Sequence, residues 1–127
     1  ATQGGWVFDS NGDGSLRFFY RDATNSSIVS GNSAVVSINT PHIAIGYVRN
    51  GKVGLRLDGV KATETAHGGL ASISQDVTLG ARAGGADAGS SAGIQYEELD
   101  LYTGSVPDSD FEKIEQFAGD NYGVSLP

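Results

Sequence analysis

The fold is decided by residues 43–57, which read IAIGYVRNGKVGLRL. Two alternating runs flank Asn50 and Gly51, a residue pair that accepts the positive φ angles of a type I′ turn. The stretch therefore predicts a β-hairpin. In its second strand the apolar residues share one face, and Gly54 and Arg56 lie on the other. We expect one buried face and one more open face.

Upstream of this hairpin, residues 6–21 predict a second one with a long polar tip, because Leu16, Phe18 and Tyr20 alternate along the chain. One or two short strands are expected around 28–29 and 35–38. Nineteen glycines against three prolines are typical of short strands joined by turns. This half of the chain predicts an all-β fold.

Downstream, a turn at Asp58 and Gly59 is followed by a predicted surface loop over 79–93 and a strand over 94–102. Pro107 and the acids after it predict the start of one short helix, which Gly119 or Gly123 can end. Its predicted apolar face consists of Phe111, Ile114, Phe117 and Ala118.

Length and charge restrict the class of protein. A chain of 127 residues and 13.1 kDa predicts one domain over residues 1–127. The formal net charge of −7 repels phosphate backbones and anionic lipids, so no nucleic-acid partner is expected. No apolar run approaches the ~20 residues of a membrane span, so no membrane insertion is expected. Without cysteine there is no disulfide or thiolate site.

Three stretches in order resemble a laminin-G-like (LamG) domain of the concanavalin A-like group. Residues 41–60 are similar to that family's hairpin, in which a "WHHVA"-like strand leads to "LYVDGV". Residues 98–102, ELDLY, resemble its "DELRIY" strand. Residues 106–127 resemble its "LSDAEIEKIEGYLA" helix and tail.

The resemblance covers about two-thirds of the chain, residues 41–127. It implies a concanavalin A-like antiparallel β-sandwich (jelly roll) with one short C-terminal helix, and a habit of binding sugars or proteins. Such sandwiches usually contain more residues. We therefore expect a minimal version, a fragment, or a sandwich completed by another chain.

A candidate calcium loop lies at the tip of the first hairpin. Asp9, Asn11 and Asp13 match the first, third and fifth positions of a calcium-binding loop, with Gly14 and the Ser15 carbonyl next. Tyr20 takes the place of the bidentate glutamate. Asx-rich turns have the same composition, so an ordinary hairpin tip is the favoured interpretation. No cofactor is expected to be required, and calcium is the one ion suggested.

Catalytic patterns are incomplete. Glu98 and Asp100 resemble the start of the paired-carboxylate strand of jelly-roll glucanases, but Thr103 stands at the third acidic position, which makes a glycoside hydrolase the least favoured function. His42 and His67 sit in no nucleophile-elbow or metal spacing. We expect His42 to be packed or hydrogen-bonded, and we expect no enzyme.

The expected function is a non-catalytic structural or adhesive module, extracellular or on a virion surface, such as a phage decoration protein or a bacterial adhesin. The alternative is a carbohydrate-binding, lectin-like module, with or without calcium. Trp6, Phe19 and Tyr20 are the candidate sugar platform, although such rings more often belong to a core. The expected partner is a glycan or protein on a surface, and the chain is expected to form homo- or hetero-oligomers.

Overall fold

A computed structural model describes residues 5–72, 97–102, 104 and 106–127. The predicted loop over 79–93 and the first residues of the predicted strand over 94–102 lie outside these ranges. The described elements, in chain order, are β1 (Gly5–Ser10), β2 (Leu16–Arg21), β3 (Ser27–Val29), β4 (Ala44–Arg49), β5 (Lys52–Leu57), β6 (Val60–Lys61), β7 (Thr65–Ala66) and α1 (Asp108–Tyr122).

The strands form two antiparallel sheets. The first has the order β1-β2-β3, and in the second β5 pairs with β4 on one side and with β6 and β7 on the other. Both predicted hairpins are confirmed, with Trp6 opposite Tyr20 in one and Val48 opposite Val53 in the other. The expectation of a mostly β protein with one C-terminal helix is likewise confirmed.

Tight turns set the register of the second sheet. Asn50 and Gly51 have φ angles of 49° and 72°, as the type I′ prediction requires. Asp58 and Gly59 repeat this pattern with 49° and 83°, and they bring Val60 opposite Leu57. These two turns make β5 the central strand of its sheet.

The core lies between the two sheets. Its buried members are Phe18, Tyr20, Val53 and Leu55. Gly46 permits the close approach of the sheets, because a Cβ at this position would lie 2.3 Å from Cδ2 of Phe18. A side chain there would displace the ring, so the absence of one is a packing requirement.

The second face of β5 is buried as well, which contradicts the expected open face. Arg56 is only 7% exposed, and Gly54 is buried beneath the ring of Tyr47, whose Cζ would lie 2.2 Å from a Cβ on this glycine. The Tyr47 ring in turn contacts Phe111 of α1, with 5.1 Å between the ring centroids. The helix therefore covers the outer face of the second sheet and forms a third layer.

The helix begins after Pro107 and ends at Gly123, whose φ is 71° and whose N–H donates to the Gly119 carbonyl. Its predicted apolar face is wrong in part. Phe111 is buried, but Glu115 is 2% exposed while Phe117 is 63% exposed. The physical reason is Arg56, which gives an acidic side chain a buried partner on the sheet.

Glu115 and Arg56 form a bidentate ion pair. Arg56 donates from Nε to Oε1 and from Nη2 to Oε2, both at 2.8 Å. The Arg49 guanidinium lies over both the Tyr47 and the Phe111 rings, 4.9 Å and 4.7 Å from their centroids. Arg49 also donates to the Val106 carbonyl at 2.5 Å and to Asp108. Two arginines of the sheet thus hold the start and the middle of α1.

Of the one or two short strands expected around 28–29 and 35–38, the first is formed as β3. Val35 makes only an isolated bridge with Ser15, and no strand continues through the 35–38 stretch. Residues 97–102, the described part of the strand predicted over 94–102, are irregular. A strand also needs a neighbouring strand to pair with, and among the described residues neither stretch has one.

Asp22 ties the two sheets together on the side where β3 lies near β7. Its carboxylate accepts the backbone N–H of Gly68 at 2.6 Å, and it also accepts from the Thr24 hydroxyl at 2.7 Å. The Thr24 hydroxyl is the main cause that lowers the pKa of Asp22 to about 2, and backbone donors add to it against the effect of burial. Close by, the Gly31 N–H donates to the Thr63 carbonyl at 2.7 Å.

We expect Arg56→Met or Glu115→Leu alone to lower the free energy of unfolding by about 3–5 kcal/mol, because each leaves one buried charge unpaired. The double variant R56M/E115L should recover most of this loss. Urea unfolding followed by circular dichroism measures all three, with Lys113→Met of the exposed Lys113–Asp110 pair as a control that should change stability by less than about 1 kcal/mol. Single effects that simply add in the double variant would contradict the pairing argument.

We expect the stability difference between wild type and Asp22→Asn to depend on pH. The folded-state pKa of Asp22 is depressed, so its contribution is complete above the unfolded value of about 3.9 and is lost as the pH falls towards 2. Urea midpoints measured from pH 6 to pH 2 should therefore converge at the acidic end. Asp120→Asn, on the exposed face of α1, is the control. A difference that stays constant down to pH 2 would refute this role of the carboxylate.

Candidate functional site

A shallow cleft of about 410 Å³ lies between residues 98–102 and the outer side of α1. We call it the helix cleft. Alternate side chains of the irregular segment line one wall, and side chains one helical turn apart line the other. Its lining residues are Glu98, Asp100, Tyr102, Lys113, Ile114, Phe117 and Ala118.

Two exposed rings border the helix cleft. Tyr102 is 60% exposed and Phe117 is 63% exposed, while Ile114 and Ala118 between them are half-buried. Phe117 faces outward because the buried stripe of α1 runs through Phe111 and Glu115. The orientation of the helix on the sheet therefore determines that an aromatic ring is presented at this place.

The polar side of the helix cleft is acidic. The Tyr122 hydroxyl donates to Oε2 of Glu98 at 2.7 Å, and this bond is the main cause that raises the pKa of Tyr122. Asp100 is exposed, and desolvation followed by the negative charge of nearby Glu98 raises its pKa. Lys113 donates to Asp110 at 2.9 Å. The cleft thus offers carboxylate oxygens beside apolar rings.

The three rings considered from the sequence do not share a surface. Tyr20 is a core residue whose hydroxyl accepts the Ala71 N–H at 2.7 Å, and Trp6 is half-buried against Phe18. Phe19 projects to the opposite face of β2, where the Arg17 guanidinium lies 4.8 Å from its ring centre. A role of these three rings in ligand binding stays a prediction. Tyr102 and Phe117 were not predicted to be exposed rings, because apolar spacing did not show which side of α1 is buried.

Two oxygens of the candidate calcium loop have protein partners. Oδ2 of Asp9 accepts from Arg17 at 2.7 Å. Oδ1 of Asp13 accepts the Ser15 N–H at 2.9 Å and the Ser15 hydroxyl at 2.7 Å, which lowers the pKa of Asp13. The Asn11 amide nitrogen donates to the Ser15 hydroxyl at 2.9 Å. Calcium binding at Asp9, Asn11 and Asp13 stays a prediction.

A second polar cluster joins residues far apart in sequence. Nδ1 of His42 lies 2.6 Å from Oδ2 of Asp58, and Nε2 lies 3.1 Å from the hydroxyl of Ser37. The other Asp58 oxygen accepts the Ile43 N–H at 2.8 Å. The expectation that His42 is hydrogen-bonded is confirmed. The cluster itself was missed, because only the β5–β6 turn brings Asp58 to the histidine.

The described ranges contain neither a metal-binding cluster nor a membrane-spanning helix. No group of three or more His, Cys, Asp or Glu side chains there is arranged to hold a metal ion. Among those same residues, no helix has the length and apolar character needed to cross a membrane.

Comparison with known proteins identifies no relative: no family model matches the chain, and neither the curated proteins nor the solved structures contain a significant match.

Proposed function

We propose that this protein is a non-catalytic adhesive module that binds a glycan in the helix cleft. The observation that carries the proposal is the pair of exposed rings, Tyr102 and Phe117, beside the carboxylates of Glu98 and Asp100. We propose further that the protein is displayed on a virion or cell surface and that its strands have the connectivity of a concanavalin A-like jelly roll. Both statements rest on the resemblance of residues 41–127 to LamG domains.

The exposed rings favour a sugar over most other small ligands. A pyranose ring has one apolar face of C–H groups and a rim of hydroxyls, so it gains both from a flat aromatic surface and from fixed hydrogen-bond acceptors. Carboxylate oxygens are strong acceptors for hydroxyl donors. A volume of about 410 Å³ falls at the small end of the range of ligand pockets and suits one or two sugar units.

The carboxylates act as acceptors in this proposal and carry no hydrolysis. Glu98 already receives the Tyr122 hydroxyl. Hydrolysis needs one carboxyl group free to protonate the leaving oxygen and a second in position for attack on the sugar. A carboxylate that is already engaged by a tyrosine serves binding better than this division of roles.

Binding in the helix cleft does not prevent the protein from forming oligomers. Assembly with copies of itself or with another chain stays a prediction. Light scattering coupled to size exclusion measures it directly, with and without EDTA, so that the calcium prediction is tested in the same experiment.

We expect Tyr102→Ala and Phe117→Ala each to weaken binding of an oligosaccharide by about 3- to 10-fold, from the loss of roughly 0.5–1.5 kcal/mol of ring contact. A glycan array selects the ligand, and calorimetry measures the affinity of each variant. Val60→Ala is the matched control, since Val60 has a similar exposure of 59% and lies outside the helix cleft.

Three results would count against this function. A blank array, or equal affinities in all three variants, removes the helix cleft as the binding site. Release of reducing sugar that disappears in Glu98→Gln would instead establish a glycoside hydrolase. Folding defects do not enter the comparison of the ring variants, because both substituted rings are largely exposed.

A further inference from the structure

We propose that Ser37, His42 and Asp58 form a nucleophilic site that accepts an acyl group from an ester. The site lies outside the helix cleft, so it adds an ester-cleaving activity to a protein whose proposed non-catalytic role concerns the helix cleft alone, and it departs from the expectation that the chain is no enzyme. Its three side chains come from two places: Ser37 and His42 from the connection between the two sheets, and Asp58 from the turn between β5 and β6.

The geometry has the three contacts that activate a serine. The serine hydroxyl lies 3.1 Å from Nε2 of His42, and Nδ1 of the same ring lies 2.6 Å from the carboxylate of Asp58. The second oxygen of Asp58 is fixed by the Ile43 N–H at 2.8 Å. A nucleophile, a base and a carboxylate that orients the base are recognised by such roles and distances, wherever they occur in the chain.

The serine of this site is exposed to solvent, whereas the histidine and the aspartate are partly buried. Ser37 is exposed, so an incoming carbonyl carbon can reach its oxygen. The side chains of His42 and Asp58 are 20% and 24% exposed, which keeps their hydrogen bond partly shielded from water. The Thr40 hydroxyl lies 2.6 Å from that of Ser37 and helps to hold the serine side chain in place.

The protonation state of His42 decides whether Ser37 is activated. Nε2 also lies 3.0 Å from the Ser37 carbonyl, so the charged ring donates there and cannot take a proton from the hydroxyl. In the neutral ring the proton remains on Nδ1, against Asp58, and Nε2 is free to accept from Ser37. Among the described residues, Asp58 is the charged group in contact with this ring.

The two hydrogen bonds also move the titration of His42. Burial acts to lower its pKa, but the bond to Asp58, the bond to the Ser37 carbonyl and the negative charge of Asp58 outweigh burial and raise it. Reactivity of Ser37 should therefore increase with pH and reach half of its maximum above the ordinary histidine value of about 6.5.

The reaction is balanced with water as the only co-reactant. The Ser37 oxygen attacks the ester carbonyl while its proton passes to Nε2 of His42. The bond from the acyl carbon to the leaving oxygen then breaks, and that oxygen takes the proton from His42. Water, deprotonated by the same nitrogen, releases the carboxylic acid and restores Ser37.

The suitable donors are small or chain-terminal esters, because the site is open and offers the rest of a substrate little surface. The first probe is an alkyl fluorophosphonate, whose phosphorus is attacked in the same way with release of fluoride. The second is 4-nitrophenyl acetate, which reports acyl transfer by release of nitrophenolate. Peptide mass mapping locates the stable phosphonate adduct.

We expect one equivalent of phosphonate on Ser37 and none in Ser37→Ala. His42→Gln and Asp58→Asn should lower the labelling rate at least about 100-fold, as loss of a general base does. Ser10→Ala, an exposed serine of β1, is the matched control and should label like wild type. The rate on wild type should rise with pH through the titration of His42.

The proposal is overturned if Ser37 carries no adduct, or if it labels equally in His42→Gln. Circular dichroism and thermal melts of each variant identify loss of the fold. Should His42→Gln unfold, the pH profile of labelling in the wild-type chain decides alone: a flat profile between pH 5 and pH 9 refutes activation by the histidine. None of these results bears on glycan binding in the helix cleft.

Discussion

The buried ion pair between Arg56 and Glu115 is the interaction on which the arrangement of this protein depends. Both side chains are almost completely removed from water, and the pair is bidentate. Removal of two charges from water costs several kcal/mol for each, and the pair repays this cost only in a good geometry. Its main effect is therefore one of position: α1 can lie on the second sheet in only one register.

That register determines the rest of the helix. With Glu115 directed at the sheet, Phe111 packs against Tyr47 and Phe117 is turned to the outside. The two glycines of the second sheet act on its two faces, since Gly46 accepts the Phe18 ring and Gly54 accepts the Tyr47 ring. The absence of side chains at Gly46 of β4 and at Gly54 of β5 allows the three layers to approach closely. The helix cleft is a consequence of this packing.

Clusters of polar side chains hold the irregular segments beyond the strand ends in place. Asp22 joins the first sheet to the stretch after β7. The Tyr47 hydroxyl donates to Glu64 at 2.8 Å, and burial followed by this bond raises the pKa of Tyr47. His42 and Asp58 join the connection between the sheets to the β5–β6 turn. Each cluster fixes an irregular segment through side-chain acceptors, because these segments lack a strand neighbour to satisfy their backbone groups.

Local sequence determined the elements whose signals are local. The Asn50–Gly51 turn, the alternation of β4 and β5, the start of α1 at Pro107 and its end at a glycine all follow from φ preferences and side-chain periodicity. Only the tertiary structure decided which side of α1 is buried and that β5 is covered on both faces. It also placed Asp58 at His42 and brought the exposed rings beside the two carboxylates. The reason is that burial of a charge depends on a partner distant in sequence, and no periodicity within one element specifies that partner.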